Sequence, residues 1–206
     1  MEPVRIIEGT AAPLDRSDVD TDQIIPSEWL KRVERTGFGE GLFSDWRADP
    51  AFVLNQPQYE GASILVAGTN FGTGSSREHA VWALTDYGFR AVVSPRFADI
   101  FRTNSTKAGL LPVQVDEVTG RALLDAVAAD PTITVAIDVE ARALRAPAAG
   151  IDTTFPLDDF TRWRLLEGLD DIGLTLRHQD AIAAYEATRP PWLPITTGPS
   201  RPITRF

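Results

Sequence analysis

The chain has no cysteine and only two histidines, His79 and His178, among its 206 residues. A disulfide framework, a thiolate nucleophile and a cysteine-bound zinc or iron–sulfur cluster are thereby excluded within this chain. Two histidines do not make a histidine-rich metal site, so the expectation is that this chain binds no metal. Long apolar runs are also missing: none approaches the roughly 18 residues of a membrane span. The start, Met1-Glu2-Pro3-Val4-Arg5, lacks the basic residues and apolar stretch of a signal peptide, and a cytoplasmic protein is expected. Positive charge is scarce. Lys and Arg number 20 against 29 Asp and Glu, a net charge of −9, which argues against nucleic acid as partner because phosphate neutralisation needs a basic face. A small anionic substrate stays open, since it responds to the local field of a site.

With 43% hydrophobic and 24% charged residues, the chain has the composition of a globular protein with a real core. Strands are expected at 4–7, 63–68, 91–94 and 110–115, with a hairpin at 132–139 and 142–146. Helices are expected at 28–33, about 75–88, from Phe97 to Gly109, at 117–129, at 158–168 and at 180–187. Residues 8–23 are polar and turn-like, and 36–62 hold enough glycine and proline to be irregular. The alternation of strand and helix predicts an α/β class, a mixed sheet with flanking helices. Residues 1–188 read as one domain. Residues 189–206 carry five prolines and read as an extended or disordered tail.

Most of the chemistry lies in Asn70-Phe71-Gly72-Thr73-Gly74-Ser75-Ser76-Arg77-Glu78-His79. A strand enters this glycine loop and a helix leaves it, so backbone N–H groups stand at the positive end of a helix dipole and favour an anion. Arg77 adds a planar cation matched to a carboxylate. The bland alternative is a capping box, with Ser75 capping the helix and Glu78 at its third position. Gly72 and Gly74 count against a purely structural role, since they let a ligand approach the backbone. No P-loop, dinucleotide fingerprint or serine-hydrolase elbow is present. His79 fits a supporting or interface group better than the base of a Ser–His pair. Asp20, Thr21 and Asp22 form an acidic turn, and Lys31, Arg32 and Arg35 a basic cluster. Each could be solvated surface, or together they could close over an anionic substrate.

Asp18-Val19-Asp20-Thr21-Asp22-Gln23-Ile24-Ile25-Pro26, Arg35-Thr36-Gly37-Phe38-Gly39 and Gly72-Thr73-Gly74-Ser75-Ser76-Arg77-Glu78-His79-Ala80 together resemble the small subunits of 3-isopropylmalate dehydratase. Segments 82–89, 97–101 and 168–176 extend the resemblance, which runs from about residue 4 to about 193. The serine–arginine loop alone is shared with the wider aconitase superfamily. The resemblance implies a swivelling β/β/α domain of the aconitase type that closes over a large subunit, which holds a [4Fe-4S] cluster. It implies a hydro-lyase of leucine biosynthesis, inactive without that partner, which interconverts 2- and 3-isopropylmalate through 2-isopropylmaleate. Ser75 is then the base, Ser76 and Arg77 hold one substrate carboxylate, and Lys31, Arg32 or Arg35 another. Many members have Cys where this chain has Thr73; that cysteine is not a cluster ligand in the family pattern. The alternatives are a non-catalytic carboxylate-binding or regulatory module, and the equivalent subunit acting on homoaconitate or citraconate-type substrates.

Overall fold

The computed structural model describes residues 1–31, 36–74, 77–190 and 192. Strands β1 (Ile6–Leu14), β2 (Ile64–Ala67), β3 (Ala91–Ser94), β4 (Leu111–Gln114), β5 (Thr134–Asp138), β6 (Ala143–Ala146) and β7 (Ile151–Thr154) form one mixed sheet in the order β4-β3-β2-β1-β5-β6-β7. The half from β1 to β4 is parallel, and β5 to β7 are antiparallel. Every residue of β2 and β3 is buried, which is why Ile64-Leu65-Val66-Ala67 and Ala91-Val92-Val93 read as continuous apolar runs without alternation.

Parallel neighbours need crossovers, and helices supply them. Between β1 and β2 lie the short α1 (Thr21–Ile24) and α2 (Ser44–Arg47). Then α3 (Glu78–Tyr87) joins β2 to β3, and α4 (Asp99–Ala108) joins β3 to β4. The long α5 (Glu117–Ala129) returns across β3, β2 and β1 to reach β5 on the far side of β1. Leu123, Leu124 and Val127 are its buried stripe. The expected α/β class and mixed sheet with flanking helices are present.

β1 differs most from the sequence expectation, which ended it at Ile7. Its first half pairs antiparallel with β5, from Ile6↔Asp138 to Thr10↔Thr134, and its second half pairs parallel with β2, from Ala11↔Ile64 to Leu14↔Ala67. Residues 8–14 carry little strand propensity of their own. Ala11 and Ala12 are fully buried, and the two neighbouring strands specify the conformation. β7 was not expected either, because its burial pattern is weak. The segment predicted as a helix at 28–33 is a 3₁₀ turn over Ser27–Lys31, and residues 32–35 lie outside the described residues.

The irregular stretch after residue 36 is held by aromatic packing. Phe43 stacks on Trp46, and the Arg16 guanidinium lies 4.0 Å from the centre of the Trp46 ring. After α6 (Asp159–Glu167) the chain divides into two compact units, Met1–Asp170 and Asp171–Phe206. The second contains α7 (Asp171–Leu176), where a loop was expected, and α8 (Gln179–Ala187). No described helix is long and apolar enough to cross a membrane.

Candidate active site

The glycine loop leaves the carboxyl end of β2, beside the carboxyl ends of β1 and β3. Open parallel sheets place ligands at this edge. Two neighbours clamp the loop. On the β1 side, Gly72 and Thr73 donate to the Val19 carbonyl at 2.7 and 3.1 Å, and Thr21 N–H donates to the Thr73 carbonyl at 2.9 Å. On the β3 side, Phe71 N–H donates to the Arg96 carbonyl at 2.9 Å, and Ala98 N–H to the Phe71 carbonyl at 3.0 Å. The acidic turn and the glycine loop, far apart in sequence, therefore form one unit.

Gly72 has φ +80 and Gly74 φ +90, the left-handed region. At Gly72 there is a second constraint, because a Cβ would stand 2.3 Å from Phe101 Cγ. Asp18 (φ 56) and Asn70 (φ 62) are also left-handed. Asn70 Nδ2 donates to Asp18 Oδ1 at 2.7 Å, and Asp18 N–H to the Thr69 carbonyl at 2.9 Å. Paired left-handed residues store strain where the chain leaves β1 and β2. This pair was not expected from the sequence; the available signal was that Asp and Asn are the residues that tolerate such backbone.

The capping box expected at Ser75 and Glu78 is not the start of α3. That helix begins at Glu78, its N-cap is Arg77, and the Arg77 side chain makes no capping hydrogen bond. A capping box instead opens α1: Gln23 N–H donates to Asp20 Oδ1 at 2.8 Å, and Asp20 N–H to Gln23 Oε1 at 3.0 Å. The Asp20-Thr21-Asp22 turn is thus a built helix start, with Thr21 buried and Asp22 projecting. Arg77 forms an ion pair with Asp22. The Arg77 side chain is a quarter exposed and that of Asp22 more than half exposed, so the pair is reached by solvent.

Ser75 and Ser76 fall between Gly74 and Arg77 and lie outside the described residues, as do Arg32 and Arg35. Lys31 ends its 3₁₀ turn exposed. Beyond the basic segment, Phe38 N–H donates to Asp86 Oδ2 at 3.0 Å, which ties the chain to α3. Phe38, His79 and Trp82 form an aromatic cluster, with ring centres 5.3 Å apart for Phe38–His79 and 4.8 Å for His79–Trp82. His79 is therefore a packing group on α3, beside the loop. Glu78, the first residue of α3, is exposed. Among the described residues, no group of three His, Asp or Glu could hold a metal ion.

The chemistry available is anion binding: the N-terminus of a ten-residue helix whose N-cap side chain makes no capping bond, the guanidinium of that residue, and a glycine backbone leading into it. Similarity to known proteins agrees with this geometry. A family model of the aconitase C-terminal domain matches residues 1–118, and one of the C-terminal domain of the 3-isopropylmalate dehydratase small subunit matches residues 171–196. The 3-isopropylmalate dehydratase small subunit of Frankia casuarinae is 68% identical over 95% of this chain and all of its own length. That of Rubrobacter xylanophilus is 60% identical over 94% of this chain and 98% of its own. A solved structure, 3-isopropylmalate dehydratase from Methanocaldococcus jannaschii, aligns with a TM-score of 0.64 at 26% identity, covering 88% of this chain and 99% of that one. Near-complete coverage at such identity, over a fold with the glycine loop clamped at the sheet edge, makes this chain a member of the 3-isopropylmalate dehydratase small-subunit family.

Proposed function

We propose that this chain works as the small subunit of a 3-isopropylmalate dehydratase, presenting the loop at 70–77 to a substrate held jointly with a large subunit. The reaction is a hydro-lyase step of leucine biosynthesis. 2-Isopropylmalate loses water to give 2-isopropylmaleate, and water returns with the hydroxyl on the neighbouring carbon. The observation that carries the reading is the N-terminus of α3, where Arg77 stands at the N-cap and its side chain makes no capping hydrogen bond but pairs with Asp22. A substrate carboxylate accepts from the N–H groups of the helix start, and Arg77 grips it with two parallel hydrogen bonds. Asp22 holds Arg77 before substrate arrives. Ser76 shares that carboxylate, and one of Lys31, Arg32 and Arg35 takes the second.

Ser75 is assigned as the base on its place in the sequence, between Gly74 and the Arg77 cap. Its oxygen takes the carbon-bound proton and returns one on rehydration. An isolated serine is far too weak an acid for this role near neutral pH. The α3 N-terminus and Arg77 provide the positive potential that stabilises its alkoxide. The cluster that the family implies finds no cysteine here to ligate it, so it belongs with the large subunit, where it would supply Lewis acidity to the departing hydroxyl. This reading places the chain in the cytoplasm, with a small dicarboxylate rather than nucleic acid or a membrane as its ligand.

The test is co-expression with the large subunit and an assay of 2-isopropylmalate conversion, with homoaconitate and citraconate-type substrates in parallel. The complex should convert isopropylmalate and each subunit alone should not. A complex that assembles but acts on none of the three would leave a binding module.

A further inference from the structure

Large apolar side chains exposed to solvent are unevenly distributed. Nine are exposed among the described residues, and Ile172, Leu176, Ile182, Tyr185 and Trp192 all fall in the C-terminal unit. The other four are scattered over the first 170 residues. Their exposure in the C-terminal unit runs from 37% at Ile182 to 80% at Trp192. Single exposed apolar groups need no explanation, but these share faces. Ile172 and Leu176 are four apart on α7, and Ile182 and Tyr185 are three apart on α8. None of residues 171–190 or Trp192 is buried. Helices of six and nine residues are marginal alone in water, and burying these faces against another surface would stabilise them.

The family models indicate which surface. Residues 1–118 match a domain that by name is the C-terminal part of a longer aconitase chain, whereas residues 171–196 match a domain named for the small subunit itself. A domain within a continuous chain is kept beside its neighbours by the backbone. The same domain made as a separate subunit needs a non-covalent attachment. The segment that matches the domain named for the small subunit is the one that carries these exposed apolar side chains. Covering the five side chains would hide on the order of 500 Å², more than half of the roughly 800 Å² that each partner of a stable complex buries. Tyr and Trp are also the types enriched at the centres of interfaces.

We infer that the C-terminal unit is the docking element that holds the large subunit, with Ile172, Leu176, Ile182, Tyr185 and Trp192 as its apolar contact. The inference rests on the proposed function. The experiment titrates the full-length chain, its Leu176→Asp and Tyr185→Asp variants and the double variant into purified large subunit by calorimetry. Activity at saturating small subunit, and the melting temperature and sedimentation of each chain alone, are measured beside it. Each substitution should raise Kd at least about tenfold, with kcat at saturation and the melting temperature of the chain alone unchanged. Unchanged Kd in an active complex would overturn the inference. So would a lower melting temperature of the isolated variant with unchanged Kd, which places the helices against the chain's own body. Loss of a wild-type self-association with unchanged Kd would assign the faces to a second copy and overturn it too. A wild-type chain that forms no active complex would instead remove the function, and this inference with it.

Discussion

Arg77 is where charge, loop and helix meet, and its replacement is informative because its partner Asp22 is known. Arg77→Lys keeps the charge but loses the planar fork. The assembled enzyme should lose about 10²-fold in kcat/KM, about 2.7 kcal/mol of transition-state stabilisation. Stability should barely change, because an exposed ion pair contributes about 0–1 kcal/mol. Ser75 allows a sharper test now that the cap of α3 is Arg77. A helix-capping serine costs about 1 kcal/mol when changed to Ala. Here Ser75→Ala should leave the melting temperature nearly unchanged while kcat falls by several orders of magnitude. Wild-type turnover in Ser75→Ala would end its assignment as the base.

At the scale of elements, the loop and the helix ends make separate predictions. Gly72→Ala meets both a left-handed backbone and the Phe101 ring, whereas Gly74→Ala meets the backbone constraint with its nearest neighbour, Asp20 Cβ, at 3.4 Å. The first should cost about 2–4 kcal/mol and the second about 1–2 kcal/mol by chemical denaturation. Equal losses would mean that Phe101 moves aside. In α6, Asp158 accepts the Thr161 N–H at 2.9 Å. The Thr161 hydroxyl and then its N–H hold the Asp158 carboxyl below the usual range, against a smaller opposing effect of burial. The folded carboxyl titrates lower than the unfolded one, so its contribution is complete above about pH 3.9 and is lost as pH falls through the folded value. Asp158→Ala should therefore cost about 1 kcal/mol at pH 7, with the difference from wild type shrinking in acid.

At the scale of the molecule, the family to which the chain belongs is that of a small subunit, which works with a large one. Anaerobic reconstitution of the purified small subunit with iron and sulfide should leave it folded, colourless and inactive. A stoichiometric cluster absorbance in this chain alone would refute the division of labour between two subunits. The parallel half of the sheet provides a rigid edge for the loop, because β2 and β3 are buried throughout and the carboxyl half of β1 is paired with β2.

How much of this was legible in the sequence follows from where each signal comes. The absence of cysteine, the Gly72-to-His79 string and the runs that became β2, β3, α3, α4 and α5 are local properties of the chain, readable from chemistry and period. So was the family resemblance, which the relatives uphold. Tertiary structure decided what depends on neighbours. β1 continues to Leu14 because β2 and β5 supply its hydrogen bonds, against the propensity of Gly9, Ala11, Ala12 and Pro13. The cap of α3 moves from Ser75 to Arg77, and the capping box falls at Asp20 and Gln23 instead. S-x-x-E describes a possible hydrogen bond, but the loop's attachment to Val19 and Thr21 determines where the helix can begin. The pairing of Asp22 with Arg77, 55 residues apart, has no local signal at all, because only the adjacency of β1 and β2 brings their carboxyl ends together.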